Sequence, residues 1–364
     1  MPDTRPGIKF DKNGVCYPCL VAEKRKKIDW KKRQEELKEL CNKYRRKDGY
    51  YDCLITVSGG KDSHYQTYIM KEVYKMNPLL VCVSDALAFT HTKVGEHNLK
   101  NNSEAFGCDL ITYNLNSVTL RKMIRLALEY YGSPTWTIDL AIYSVPLKIA
   151  RSLNIPLIVY GENIAYEYGG PNAEETYSAK EQIKNDAVRP IAWDWWYEHG
   201  IEEKEVEFIK YPSPEIVERL EPIYLSYFYP WDGYKNYLIA KRYGFRDSTG
   251  EWDREGFIEN YDQIDSIGYV VHCQLKYPKF GHARATDVAS NWIRNGYITR
   301  EEGIKLVKEN DHKLDPKALD DFLRFTGYTN KEFWDIVEKF WNRDIFEKVD
   351  GIWQLKSPNW KQKK

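Results

Sequence analysis

Leu54-Ile-Thr-Val-Ser-Gly-Gly-Lys-Asp-Ser63 decides how this chain folds. Leu54, Ile55 and Val57 suit a buried parallel strand, and the two glycines that follow admit positive φ and a close approach of backbone to a ligand. Lys61, Asp62 and Ser63 then open a helix. Its free N–H groups and the positive end of its dipole would face an anion, with the Ser58 and Ser63 hydroxyls as further donors and Lys61 as a charge. The stretch reads as a phosphate cradle; an isolated Gly-Gly would read equally as a tight strand-to-helix turn.

Working outward, a βα alternation runs through strand 52–57, helix 62–76, strand 79–85, helix 96–107, strand 109–115, helices 117–131 and 138–153, and strand 156–161. Such alternation predicts an α/β fold with a doubly wound parallel sheet. Ligands in open sheets of this kind sit beyond the carboxyl ends of the strands, so Ser84, Asp85, Gly161, Glu162 and Asn163 should join the cradle. Residues 164–200 read as a long substrate-facing loop with a short helix, a candidate lid. Beyond residue 205 the pattern changes to a Tyr-rich strand over 222–230, a helix over 232–243 and successive helices over 284–347. Three parts result: an N-terminal segment 1–49 with Cys16, Cys19 and a surface helix, a nucleotide-binding part 50–205, and a mostly helical part 206–364 for substrate or partner.

Composition limits the function classes. The 364 residues carry 54 basic and 54 acidic side chains, so no global field draws in nucleic acid or an anionic membrane. No apolar run reaches the 18 or so residues of a membrane span, and the start of the chain lacks the apolar core of a signal peptide, which leaves the cytoplasm as the expected compartment. Seven cysteines, four of them (Cys41, Cys53, Cys82, Cys108) in apolar or helical contexts, predict thiols rather than disulfides.

The Walker A and Gly-x-Gly-x-x-Gly patterns are absent, which removes the usual ATPase, kinase and dinucleotide readings. Ser58-Gly-Gly-Lys-Asp-Ser63 instead resembles the pyrophosphate loop (PP-loop) of the N-type ATP pyrophosphatases, enzymes of the adenine nucleotide alpha hydrolase-like fold that split ATP between the α and β phosphates. Met1-Pro-Asp-Thr-Arg-Pro-Gly7, Cys16-x-x-Cys19, Trp136-Thr-Ile-Asp139, Tyr160-Gly-Glu-Asn163, Tyr168-Gly-Gly170 and Lys279-Phe-Gly-His-Ala-Arg-Ala-Thr-Asp287 together resemble the N-acetyl sugar amidotransferases of bacterial surface-glycan biosynthesis, of the pseudaminic acid type. The resemblance runs nearly end to end. It implies that an acetamido group on a sialic-acid-like or nucleotide-linked sugar becomes an acetamidino group, with ATP and Mg²⁺ as cofactors. Nitrogen would arrive as ammonia from a separate glutaminase partner related to subunits of histidine biosynthesis, because the cysteines here show no nucleophile elbow with a paired histidine.

Carried onto this chain, the resemblance implies that Ser58, Gly59, Gly60 and Ser63 hold pyrophosphate, that Asp62 helps to ligate Mg²⁺ and that Lys61 neutralises the phosphates. Lys61, Asp62, Asp139 and Glu162 are the expected catalytic residues; Asp139 reads alternatively as a helix N-cap and Glu162 and Asn163 as turn residues. Asn163, His91, His282 and Arg284 are candidates for the substrate, Arg284 because its fork suits a carboxylate or phosphate. An intrachain ion pair for Arg284 and a surface or capping role for His282 are the alternatives. Cys16 and Cys19 make half of a zinc site, which takes four ligands; relatives carry a second Cys-x-x-Cys ahead of this one, and His272 with Cys273 is the substitute within this chain. Two other classes use the same loop: a tRNA-thiolating or nucleoside-modifying enzyme, and a non-catalytic nucleotide-binding subunit. The first wants a basic face, for which this neutral chain offers only a local patch such as Lys24 to Lys32, and the second has no need of Lys61, Asp62 and Ser63.

Overall fold

The computed structural model describes residues 1–169, 175–182 and 188–357; Gly170 and parts of the expected 164–200 loop lie outside the described residues. Five strands, β1 (Cys53–Thr56), β2 (Pro78–Ser84), β3 (Leu110–Asn114), β4 (Leu157–Tyr160) and β5 (Glu221–Tyr224), form one sheet in the order β3-β2-β1-β4-β5. Every pairing is parallel. The expected doubly wound α/β fold is therefore present.

Helices α1 (Tyr17–Arg25) and α2 (Trp30–Tyr44) precede the sheet, and further helices make the crossovers: α3 (Lys61–Tyr68) joins β1 to β2, α4 (Lys93–Phe106) joins β2 to β3, and α5 (Ser117–Tyr131) with α6 (Trp136–Ser152) joins β3 to β4. After β3 the chain returns to the far side of β1, so the strand order reverses between β1 and β4. That reversal opens a crevice above the Ser58 turn and Gly161.

Period-two alternation along the strands sends side chains into two layers. Ile55, Leu80 and Val159 join Leu37 and Met70 on one face, while Leu54, Val81 and Ile158 join Leu147 and Ala150 on the other. All are fully or almost fully buried, each contributing about 1.5–3 kcal/mol over an exposed position. A third cluster unites α5 and α6 with the C-terminal helices through Leu128, Trp136, Trp196, Phe322 and Phe333.

Several boundaries differ from the sequence reading for local reasons. The helix expected over 62–76 is α3 followed by a π-helical turn, Ile69–Val73. The helix α4 starts at Lys93 rather than 96, because the Thr92 hydroxyl accepts from the Gly95 N–H at 2.9 Å and caps it. Gly95, within α4, is needed for contact: a Cβ there would lie 2.5 Å from Asp265 Cα. The strand expected over 222–230 stops at Tyr224, and Leu225–Phe228 is helical. The Ser226 N–H donates to Gly161 O at 3.0 Å, which turns the chain over the end of β4. Pro222 is tolerated because β5 is an edge strand. The expected successive helices are Arg284–Arg294, Arg300–Asn310, Pro316–Thr326 and Asn330–Val337, followed by an antiparallel hairpin, Phe346–Val349 with Ile352–Leu355. No helix among the described residues is long and apolar enough to cross a membrane.

Candidate active site

The Ser58 turn adopts its shape through its own residues. Gly59 has φ +86°, and a Cβ on it would lie 2.7 Å from the backbone N and Cα of Leu99 in α4. The Ser58 N–H donates to Ser63 Oγ at 2.9 Å, and the Gly60 N–H donates to Ser58 Oγ at 3.3 Å. No side chain caps α3. Its first N–H groups are thus left for a ligand in a cavity of about 340 Å³ lined by Ser58, Gly59, Gly60, Ser63, Asp85 and Gly161. At the other end Val81, Val83, Ile138 and Ile142 give an apolar wall suited to a flat heterocycle.

Charge in this cavity is lopsided. Lys61 faces five carboxylates: Asp62, Asp85, Glu162, Asp262 and Asp265. Its ammonium lies 2.7 Å from Asp62 and 3.0 Å from Asp262, and its side chain is only 5% exposed. Burial works against its charge, but the Asp262 and Asp62 carboxylates hold its pKa well above the ordinary value. Arg284 binds the other side of Asp262, and Asn236 Nδ2 donates to Asp62 at 2.8 Å. Burial raises the Asp262 carboxyl, yet Lys61 and Arg284 prevail and hold it well below the usual range. Glu162 goes the other way: burial first, then the Asp62 charge, push it up to about 7. A polyphosphate would be repelled by so many carboxylates unless a divalent cation came with it. Mg²⁺ commonly binds through one or two carboxylates with substrate phosphates, and Asp62, at the rim beside the cradle, fits that use.

The other expected site residues divide. Ser84 Oγ accepts from the Ala86 N–H at 3.1 Å and shapes the turn after β2. Asp85 lines the cavity, held by His91 Nε2 at 2.7 Å and by the Ser266 hydroxyl at 2.8 Å. His91 thus stands behind Asp85; burial lowers its pKa, but the Asp85 partner more than offsets this. Asn163 is the N-cap of α7 (Ile164–Tyr168), accepting from the Tyr166 N–H at 3.2 Å, and lines none of the cavities around Ser58, Arg284 and Lys279. Asp139 lies inside α6 rather than at its N-cap. Its carboxylate accepts from Tyr269 OH and Thr135 Oγ1, each at 2.8 Å. Arg284 makes the intrachain pair with Asp262 and also lines a neighbouring cavity of about 240 Å³. His282, a substrate candidate whose alternative is a surface or capping role, is 2% exposed with neither ring nitrogen hydrogen-bonded among the described residues, which rules out the surface alternative; burial pushes it down to about 3.

The segment 261–269 was missed by sequence reasoning. It roofs the cavity of the Ser58 turn with Tyr261, Asp262, Gln263, Asp265, Ser266 and Tyr269. Its Tyr-Asp-Gln-Ile-Asp-Ser run follows no strand and has no motif spacing, so nothing local marks it. Lys276 and Lys279 were also missed, although Lys279 begins the quoted Lys279–Asp287 stretch.

Zinc does not fit the described residues. Cys16 Sγ and Cys19 Sγ lie 3.3 Å apart, but no third His, Cys, Asp or Glu joins them among the described residues. His272 and Cys273 instead neighbour each other at 3.4 Å, with His272 on a different cavity. The Cys19 thiol lowers Cys16 to about 5, as a hydrogen bond to a thiolate does.

Comparison with known proteins follows this division of the chain. Residues 255–358 match the family model described as LPS biosynthesis protein WbpG-like, C-terminal domain. That bears out the resemblance to surface-glycan biosynthesis proteins over the part of the chain that supplies Asp262, Lys279, His282 and Arg284. An uncharacterized protein of Methanocaldococcus jannaschii, MJ1599, is 24% identical over 200 residues, which cover 52% of this chain and 70% of that protein. Among solved structures, a predicted subunit of tRNA methyltransferase from M. jannaschii aligns over 47% of this chain and 92% of its own, with 17% identity and a TM-score of 0.24. The U34-tRNA thiolase NcsA from Methanococcus maripaludis, solved with its 4Fe–4S cluster, aligns over 57% of this chain and 78% of its own, with 15% identity and a TM-score of 0.26.

Proposed function

We propose that this chain is an ATP-dependent amidotransferase of surface-glycan biosynthesis that converts an acetamido group on a sugar into an acetamidino group, releasing AMP and pyrophosphate. One observation carries the reading. Lys61 of the phosphate cradle is ion-paired to Asp262, and Asp262 to Arg284, so the residues matched by the WbpG-like domain close the cavity that the PP-loop opens.

An amide is a poor electrophile. Transfer of AMP from ATP to the amide oxygen breaks the α–β phosphoanhydride bond and gives an O-adenylyl imidate; ammonia then adds to its carbon and AMP departs as the C–O bond breaks. The Ser58, Gly59 and Gly60 backbone and the Ser63 hydroxyl would hold the departing pyrophosphate. Lys61, clamped by two carboxylates, would meet the charge that grows on it. Mg²⁺, when bound at Asp62, supplies charge neutralisation at the phosphates. Glu162, with its carboxyl near 7, is suited to take the proton that ammonia must lose. Nitrogen is proposed to come from a separate glutaminase partner, and the compartment to be the cytoplasm.

The test is to incubate the protein with ATP, Mg²⁺, ammonium and a panel of acetamido sugars. AMP, pyrophosphate and a product lighter by the exchange of O for NH are expected. AMP without that mass change would redirect the chemistry to another acceptor, and no AMP with any sugar would refute the proposal.

A further inference from the structure

We infer that the cavity between the C-terminal end of α5, the start of α6 and the segment 272–282 is the acceptor site, and that it takes a sugar ring bearing an anion, which Lys279 and Lys276 hold. The inference rests on the amidotransferase reading for what happens to the sugar, but not for how it binds.

The cavity has a volume of about 710 Å³, against about 240 and 340 Å³ for the two cavities at the PP-loop. Among the described residues its wall carries four basic side chains, Arg5, Arg189, Lys276 and Lys279, against one carboxylate, Asp139; Arg5 and Lys276 are also paired with Asp287, at 3.0 and 3.1 Å. The 240 Å³ cavity beside Arg284 is the obvious competitor. Its four basic residues, Arg5, Lys61, Lys276 and Arg284, meet six acidic ones, Asp62, Glu162, Asp232, Glu259, Asp262 and Asp287. An anion is repelled there and attracted to the larger cavity.

Among the described residues, Lys279 in the larger cavity has no counter-charge and His282 no hydrogen bond. Lys279 Nζ donates to Gly132 O at 2.6 Å, at the end of α5, with Ser133 Oγ at 3.4 Å. No carboxylate lies within ion-pair distance of it among the described residues, and burial pushes its pKa down to about 8. His282, 2% exposed, has both ring nitrogens unsatisfied among the described residues. A buried charge ordinarily has a counter-ion and a buried imidazole a hydrogen bond, so Lys279 suits an anion and His282 a polar ligand atom. An anionic oxygen answers Lys279, and a hydroxyl or amide answers the neutral imidazole. Tyr131, Trp136 and Phe280 on the same wall offer faces to the apolar side of a pyranose.

The cavity also reaches the chemistry. Ile164 lines it together with both cavities at the PP-loop. Asp139 on its wall accepts the hydroxyl of Tyr269, which lines the nucleotide cavity. An acetamido arm passing Ile164 would arrive where AMP is transferred, while its anion stayed among the lysines.

Calorimetric titration of the full chain with three probes tests this: N-acetylneuraminic acid (a carboxylate), UDP-N-acetylglucosamine (a phosphate ester) and neutral N-acetylglucosamine. One anionic probe should bind at least about tenfold more tightly than the neutral one, the value of a charge-assisted hydrogen bond, and which one does so identifies the anion. Lys279→Met should remove that preference and leave ATP binding unchanged, whereas Lys279→Arg should retain it. If Lys279→Met fails to fold, Lys276→Met carries the same expectation. Failure of both anionic probes to bind, equal binding of the neutral probe, or an unchanged preference in the Met variants overturns the inference. Amidine formation with an unchanged preference would sink the acceptor site alone; the stated binding without AMP or amidine would sink the amidotransferase reading alone.

Discussion

Replacing Gly59 with alanine is the sharpest test of the cradle. At φ +86° a residue with a Cβ is strained, and the new methyl would lie 2.7 Å from the Leu99 N and Cα, backbone atoms in the middle of α4 that cannot rotate away. The conformation costs roughly 1–2 kcal/mol and the overpacking a further 1–3, so Gly59→Ala should destabilise the protein by about 2–5 kcal/mol. Against a total stability on the order of 5–15 kcal/mol the variant should still fold. Relief comes from moving the turn away from α4, which displaces the Ser58 and Gly60 groups from the phosphate position. A misplacement of about 1 Å costs on the order of 10²-fold in turnover. Gly60→Ala is the control: its φ is −66° and its added methyl meets only Ser58 Oγ, at 3.3 Å, so its stability should change by less than about 1 kcal/mol. Urea unfolding and ATP titration on both variants give the comparison. A Gly59→Ala protein with wild-type stability and ATP affinity would refute the close-contact argument.

Lys61→Met should lower AMP formation by about 10²–10³-fold, the scale for losing one preorganised charge or donor, as measured by release of AMP in single turnovers. Glu162→Gln should remove the acid limb of the pH–rate profile. With Glu162 at about 7, a base is lost as the pH falls below that value, so an acid limb that survives the substitution would exclude it. Asp262→Asn strips the partner from Arg284 and half of the clamp from Lys61, with an expected loss of about 3–5 kcal/mol in denaturant unfolding. The folded pKa of Asp262 is depressed, so its contribution is complete above the unfolded carboxyl value of about 3.9 and is lost as the pH falls below it. Wild type and Asp262→Asn should therefore converge in stability on acidification; a constant gap down to acidic pH would contradict the pairing.

How much of the site was legible in the sequence depended on how local its causes are. The strand 53–56, the Ser-Gly-Gly turn and the helix after it are specified within a dozen residues, because β-branched and apolar residues, positive φ at Gly59 and a free helix N-terminus are neighbours in the chain. The βα alternation likewise dictated a parallel sheet with a cavity beyond the strand ends. The helix α5 falls at its expected residues, 117–131, since Asn116 caps one end and Gly132, in the left-handed conformation, closes the other. Tertiary contacts decided the rest. The Lys61–Asp262 pair joins residues 201 positions apart, and no local pattern in either segment announces it. Charge balance was equally hidden: a chain with equal numbers of acidic and basic residues concentrates carboxylates around the nucleotide cavity and cations around the cavity of Lys279. Composition sums charges over the whole chain, whereas a ligand senses only those within a few ångströms, and folding alone chooses which those are.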